Sequence, residues 1–277
     1  MEVDFGWSSP FGLLTPAAWV AMFATRYMHE YGATSEDFGR VAVISRKYAA
    51  NNPAAFFHGK PITLEEHQAS RWIAKPVRLL DCCQESDGGQ AILVTTLARA
   101  RDLRQTPAVI TASAQGSCDD QQMMKSYYRK DITGVPELKL CADQLYADSG
   151  LSAADIQAAI LYDHFSPLVL PQLEEFGFCQ RGEAKDFVRD GNLDGQGRVL
   201  LDLEEQIAAD RTHFRVHVGI VPRCVLQSTE PLHGALPFRE ERVQPLVEVL
   251  AQVIAFRDPC RRVDLHEGLL WRLQHMA

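Results

Sequence analysis

Ala158-Ala159-Ile160-Leu161-Tyr162-Asp163-His164-Phe165-Ser166-Pro167 is the stretch on which the fold turns. Its first four residues, small and apolar, predict a short buried strand. Ser166 reads as an N-cap and Pro167 as a first helical position, so a helix starts almost at once. Tyr162, Asp163 and His164 therefore arrive together on one strand-to-helix turn. Three proton-handling side chains so placed can offer a donor and a base to one substrate atom. A buried tyrosine beside a hydrogen-bonded aspartate is also ordinary core material, so residue types alone leave a catalytic and a structural reading open.

Working outward, the helix after Pro167 should reach Phe176, with Gly177 closing it; Pro171 removes one backbone donor and predicts a kink or a late start. Upstream, Pro136 to Ser149 has helical character and ends at Gly150, and Ser152 caps a turn feeding the Ala158 strand. Ala91 to Thr96 and Ala108 to Ala112 read as two further strands, with a short helix from Leu97 to Leu103 between them. At the N-terminus, Thr15-Pro16 opens a helix with Ala17, Val20, Ala21, Ala24 and Tyr27 on one face and Gly32 at its end. Thr34 to Asp37 caps a second helix carrying Phe38, Val41, Ala42 and Tyr48, stopped by Asn51-Asn52-Pro53. Thr63-Leu64-Glu65-Glu66 is a capping-box pattern for a third. This start reads as all-helical, with no strand. Strands alternating with helices after it imply an α/β layered fold. Gly88-Gly89 alone is too weak a signal for nucleotide binding.

Composition narrows the function classes. The formal net charge is −8 with no basic block, which argues against nucleic acid and anionic lipid as partners. The apolar stretch Phe11 to Ala24 is preceded by Glu2 and Asp4 rather than basic residues, is interrupted by Pro16 and is too short to span a bilayer. It reads as a buried helix, with no signal peptide and no membrane span. The seven cysteines (Cys82, Cys83, Cys118, Cys141, Cys179, Cys224, Cys260) lack paired C-x-x-C spacing. Reduced thiols in the cytoplasm are the expectation. His213 and His217 would share a strand face, but two histidines without a third ligand make a poor metal site, and none is expected.

The order of several motifs carries a resemblance. Tyr31-Gly32-Ala33-Thr34, Asn51-Asn52-Pro53, Ile62-Thr63-Leu64-Glu65, Ala69-Ser70-Arg71-Trp72-Ile73, Leu79-Leu80-Asp81-Cys82-Cys83, Ser86-Asp87-Gly88-Gly89, Tyr162-Asp163-His164-Phe165 and Glu175-Phe176-Gly177-Phe178-Cys179 follow one another. Together they resemble the thiolase superfamily, in its branch of lipid-transfer proteins and sterol-carrier-type thiolases, nearest the steroid side-chain aldolases. The likeness runs over about residues 5 to 192.

That resemblance implies a partial thiolase-like layered α-β-α fold with an N-terminal helical loop region. Residues 1–104 would hold the loop domain and the last strand of the family's first half, 105–192 part of the second half, and 193–277 a tail without family match. The family works on coenzyme A thioesters, making or breaking a carbon–carbon bond beside the thioester carbonyl. Coenzyme A would enter as part of the substrate, with no tightly bound cofactor. By carry-over, Tyr162 is the expected proton donor or acceptor, Asp163 its orienting partner, and His164 and Phe165 pocket residues. The family's nucleophilic cysteine lies in a region without counterpart here, so no nucleophilic cysteine is assigned; Cys82 and Cys83 read as buried packing thiols. After Asn192 the family's glycine-rich active-site motif is replaced by Leu193-Asp194-Gly195-Gln196-Gly197-Arg198. In the tail, Val199, Leu200, Leu203 and Ile207 suggest a helix. Phe214, Val216, Val218 and Ile220 alternate like a strand, and Val243, Leu246, Val247, Leu250, Val253 and Ile254 keep helical spacing. The resemblance also implies an acyl-CoA substrate, a homodimer, a small OB-fold partner protein and an exposed edge at the Ala91 strand. The expected function is retro-aldol cleavage of, or acyl transfer from, a lipid or steroid acyl-CoA. The alternative is an incomplete, non-catalytic protein that binds or transfers lipid or acyl-CoA.

Overall fold

Caps and apolar spacing dominate the first seventy residues, and the computed structural model follows both. It describes residues 6, 8–53, 55–84, 94–103, 108–121, 127–156 and 158–194, and the strand backbone at 217–220 and 252–254. Helix α1 (Pro16–Tyr31) is capped by the Thr15 hydroxyl, closes at Gly32, and buries Val20, Phe23, Ala24 and Tyr27. In α2 (Ser35–Asn51) the Asp37 carboxylate reaches back, its Oδ2 accepting from the Thr34 amide at 2.7 Å and the Thr34 hydroxyl at 3.0 Å. A reciprocal pair starts α3 (Leu64–Ala69): the Thr63 amide donates to Glu66 Oε2 at 2.8 Å, and the Glu66 amide to Thr63 Oγ1 at 3.1 Å. Each pair satisfies donors that a helix start leaves open. His67 of α3 meets Asp81, Nε2 to Oδ1 at 2.9 Å, with both side chains fully buried.

The N-terminal region is not wholly helical. Strands β1 (Trp72–Ala74) and β2 (Val77–Arg78) form an antiparallel hairpin joined across a cis Lys75–Pro76 peptide. Each strand is too short for alternation to register in the sequence.

Helix α4 (Leu97–Arg101) stops two residues earlier than expected, at Asp102. Val94 to Thr96 is not a strand; Thr96 caps α4 instead, and Ala91 to Leu93 lie outside the described residues, as does the expected edge there. Ala108 to Ala112 also forms no ladder among the described residues, although Ala112 is buried. Apolar β-formers make a strand only when a neighbouring strand supplies the hydrogen bonds.

Helix α5 (Pro136–Ser149) has the expected ends. A short 3₁₀ turn at Ala153–Asp155, started by Ser152 and Asp155, leads through Ile156 to β3 (Ala158–Leu161). Helix α6 (Ser166–Glu175) follows. Phe165 is its N-cap, Ser166 its first residue and Pro167 its second, one step from the expected register. The helix runs through Pro171 rather than starting after it. Gly177, at φ 74°, ends it in the left-handed region, where the next amide, Phe178, returns to the Leu173 carbonyl at 3.0 Å. Helix α7 (Ala184–Arg189) completes this part.

Every residue of α6 from Ser166 to Glu174 is buried, as expected for a helix enclosed on all sides. It packs against α1, α2, α5 and α7. Phe23, Tyr27, Phe38, Leu161, Leu170, Leu173 and Phe176 form the heart of the core. Full burial of one such side chain contributes about 2 kcal/mol.

Strand β3 pairs in parallel with β4 (His217–Ile220), Ala158 opposite His217 and Leu161 opposite Ile220, and β4 pairs antiparallel with β5 (Gln252–Ile254). Val253 and Ile254, which kept helical spacing with Val243, are thus strand residues. Both are β-branched, and so short an apolar run fits either period. The expected helix at Val199 to Ile207, residues 243–251, Phe214, Val216 and His213 lie outside the described residues.

Candidate functional site

Strand β3 delivers the turn, and α6 holds it. The Gln172 amide group of α6 reaches back to Tyr162: Nε2 donates to the Tyr162 carbonyl at 2.8 Å and Oε1 accepts from the Tyr162 amide at 3.2 Å. The same Nε2 donates to the Leu168 carbonyl at 2.9 Å. Gln172 thus takes the place of a neighbouring strand just where β3 ends. Sequence reasoning missed it, yet a lone uncharged polar residue inside Leu168-Val169-Leu170-Pro171-Gln172-Leu173 was the available signal, because a buried amide must find partners.

The turn brings the expected residues together. Tyr162 is 38% exposed, and its ring lies flat on His164, centroids 4.4 Å apart and planes 17° from parallel. The His164 ring meets Phe165 edge-on at 5.4 Å. Burial pushes the imidazole pKa down to about 4, so the ring is neutral at physiological pH, and Nδ1 is buried with no hydrogen-bond partner among the described residues. Asp163, expected to orient Tyr162, has another partner: its Oδ2 accepts from Ser45 Oγ of α2 at 2.9 Å. Burial raises the Asp163 pKa, while the Ser45 hydroxyl and the residue's own amide oppose the rise. Phe165 is buried.

A second segment borders the turn. The Cys83 amide donates to the His164 carbonyl at 2.9 Å, and Cys82 forms an isolated antiparallel bridge with Phe165. The two thiols are not alike. Cys82 is half-buried and pushed up to about 11, by burial first and the Asp81 charge second. Cys83 lies at the surface, so the expectation of two buried packing thiols holds for neither in full. Cys118, Cys141 and Cys179 are likewise outside any disulfide, and burial lifts all three above the ordinary thiol range.

Chemically, the turn presents a half-exposed phenol, a neutral imidazole and a carboxyl on consecutive residues. A phenol has a pKa of about 10 and can give or take a proton when its neighbours hold it in place. Among the described residues no group of three or more His, Cys, Asp or Glu is arranged to hold a metal, and no helix is long and apolar enough to cross a membrane.

Residues 117–203, which contain this turn, match the family described as thiolase C-terminal domain-like. Over that segment the chain is similar to the thiolase superfamily. It is 69% identical over 195 residues to the steroid side-chain-cleaving aldolase of Thermomonospora curvata, covering 70% of this chain and 50% of that protein. It is 62% identical over 200 residues to the 17-hydroxy-3-oxo-4-pregnene-20-carboxyl-CoA lyase of Mycobacterium tuberculosis, covering 72% and 52% respectively. Among solved structures, the Ltp2-ChsH2(DUF35) aldolase superposes with a TM-score of 0.72 at 65% identity, over 74% of this chain and 55% of that one. The α/β, thiolase-like fold class expected from the motifs is therefore the observed one. The chain spans about half the length of the curated relatives it matches.

Proposed function

We propose that this chain acts in the retro-aldol cleavage of a steroid or lipid acyl-CoA thioester, with Tyr162 as the proton-transferring group. The observation that carries the reading is a half-exposed phenol at the end of β3, in a chain 69% identical to a steroid side-chain-cleaving aldolase. In the reaction a base takes the proton of the β-hydroxyl, whose oxygen becomes a carbonyl as the C–C bond breaks. The electron pair of that bond passes to the α-carbon as a thioester enolate. An acid returns a proton there, giving a carbonyl compound and a shortened acyl-CoA. Protons and electrons balance without a resident cofactor, and coenzyme A enters as part of the substrate. The enolate needs preorganised donors, which typically contribute several kcal/mol.

His164 and Phe165 form the wall behind the phenol, and residues 105–192 the part of the second family half that carries it. The solved aldolase neighbour is a complex with a DUF35 protein, which favours a small partner protein for this chain too; homodimerisation and cytoplasmic residence are further parts of the reading.

The test is direct. The purified full chain, alone and with a DUF35-type partner, is mixed with a β-hydroxy-acyl-CoA that carries an α-methyl group, and release of propionyl-CoA is followed. Cleavage that falls by a factor of about 10² or more in Tyr162→Phe supports the assignment. Cleavage that survives the substitution unchanged removes Tyr162 from the site. Binding of acyl-CoA without cleavage in either preparation favours the non-catalytic alternative.

A further inference from the structure

Resting on the aldol-cleavage reading above, we propose that Ser45 is a positioning residue of the site: from helix α2 it holds the Asp163 carboxylate and so sets the geometry of the Tyr162–His164 turn. A serine or threonine inside a helix ordinarily donates to the carbonyl one turn back. Thr25 of α1 does so, giving its hydroxyl hydrogen to the Ala21 carbonyl at 2.7 Å. Ser45 does not; its Oγ donates to Asp163 Oδ2 at 2.9 Å, across 118 positions of sequence. The helix is anchored by the two residues that follow this serine. The Arg46 guanidinium lies 3.5 Å from the centroid of the Phe57 ring, and Lys47 Nζ binds both Asp194 oxygens at 2.8 and 2.7 Å. The hydroxyl is therefore presented from a fixed backbone.

No ion pair reaches Asp163 among the described residues. On its own turn it is flanked by the Tyr162 phenol and by His164, which burial keeps neutral. The Cys83 amide on the neighbouring segment is committed to the His164 carbonyl, and α6 begins with Ser166, Pro167, Leu168 and Val169, none of them charged. From α2 the group acting on the carboxyl is Ser45, and the remaining favourable contribution comes from the Asp163 amide. A half-buried carboxylate whose side-chain hydrogen bond among the described residues comes from one hydroxyl depends strongly on it, because hydrogen bonds to charged groups are among the stronger ones.

The experiment has one readout independent of turnover and one that reports it. The full chain is labelled with carboxyl-¹³C aspartate, the Asp163 resonance is assigned by its loss in Asp163→Asn, and its titration is followed by NMR. In Ser45→Ala the midpoint moves upward by about one pH unit, the least that one hydrogen bond to a charged group supplies. The acid limb of the cleavage rate moves up with it, while KM changes little, and Ser45→Thr restores both. Should the alanine variant fold poorly, Ser45→Val against Ser45→Thr, equal in shape and different in the hydroxyl, makes the same comparison. An unmoved Asp163 midpoint overturns the proposal, as does loss of activity with an unshifted acid limb. A midpoint that moves in a protein showing no cleavage at all sinks the aldolase reading and leaves the Ser45–Asp163 link standing.

Discussion

Arg189 grips Asp37 with two parallel hydrogen bonds, Nε to Oδ1 at 2.7 Å and Nη2 to Oδ2 at 2.8 Å. Asp37 is 1% exposed and is also the residue that caps α2. Removing the guanidinium leaves a buried carboxylate with only its cap contacts. Arg189→Ala should destabilise the fold by about 2 kcal/mol, less than for a fully buried pair because Arg189 is 38% exposed. Arg189→Lys should recover little, since an ammonium cannot make the two-pronged contact. Urea unfolding of the three proteins, with an unchanged m-value, checks both statements.

Gln172→Leu keeps the volume of a buried side chain but strips the Tyr162 amide and carbonyl of their partners. The expected cost is about 2 kcal/mol in stability. Because Tyr162 is the group displaced, kcat for cleavage should fall further than the loss of folded protein explains. Turnover normalised to the folded fraction by circular dichroism separates the two effects.

The neutral imidazole of His164 makes stability depend on pH in a defined window. Unfolded, the ring binds a proton near pH 6.5; folded, only near 4. Between these values the unfolded chain carries a proton that the folded chain lacks, so acid favours unfolding. His164 therefore contributes no pH dependence above the upper value, and stability is lost as the pH falls towards the lower one, by at most about 3 kcal/mol. His164→Phe should flatten this slope. Unfolding free energies of both proteins at pH 7 and pH 4.5 measure the difference.

Gly39 sits where α2 crosses α3. A Cβ there would stand 2.6 Å from His67 Nδ1 and 2.8 Å from Leu64 Cδ1. Alanine normally favours a helix interior over glycine by about 1 kcal/mol. Here the opposing ring belongs to the buried His67–Asp81 pair and cannot swing away. Gly39→Ala should destabilise by about 2 kcal/mol, and a thermal melt showing a raised Tm would refute the close approach.

What could be read from the chain divides by distance along it. Thr34 with Asp37, Thr63 with Glu66, and the glycines at 32 and 150 act within a single helical turn, so α1, α2, α3 and α5 begin or end where those residues say. The turn from Tyr162 to Phe165 was likewise visible, because a strand and a helix border it directly. The contacts that hold it were not. Ser45 with Asp163 and Arg189 with Asp37 lie 118 and 152 residues apart. No local pattern reports such pairs, since they exist only after α2, α6 and α7 have packed. The apolar run at Ala108 to Ala112 shows the converse: it has β propensity but no partnering ladder among the described residues, and it is not a strand there.

The Cys83 amide on the His164 carbonyl, with the Cys82–Phe165 bridge beside it, has a consequence for anyone wishing to transplant this turn. Its shape is encoded in three places: a helix near the beginning of the chain, a pair of residues eighty positions earlier, and the helix that follows. A loop graft carrying Leu161 to Pro167 alone would bring the chemistry of the side chains and leave the scaffolding behind. A useful graft has to be discontinuous.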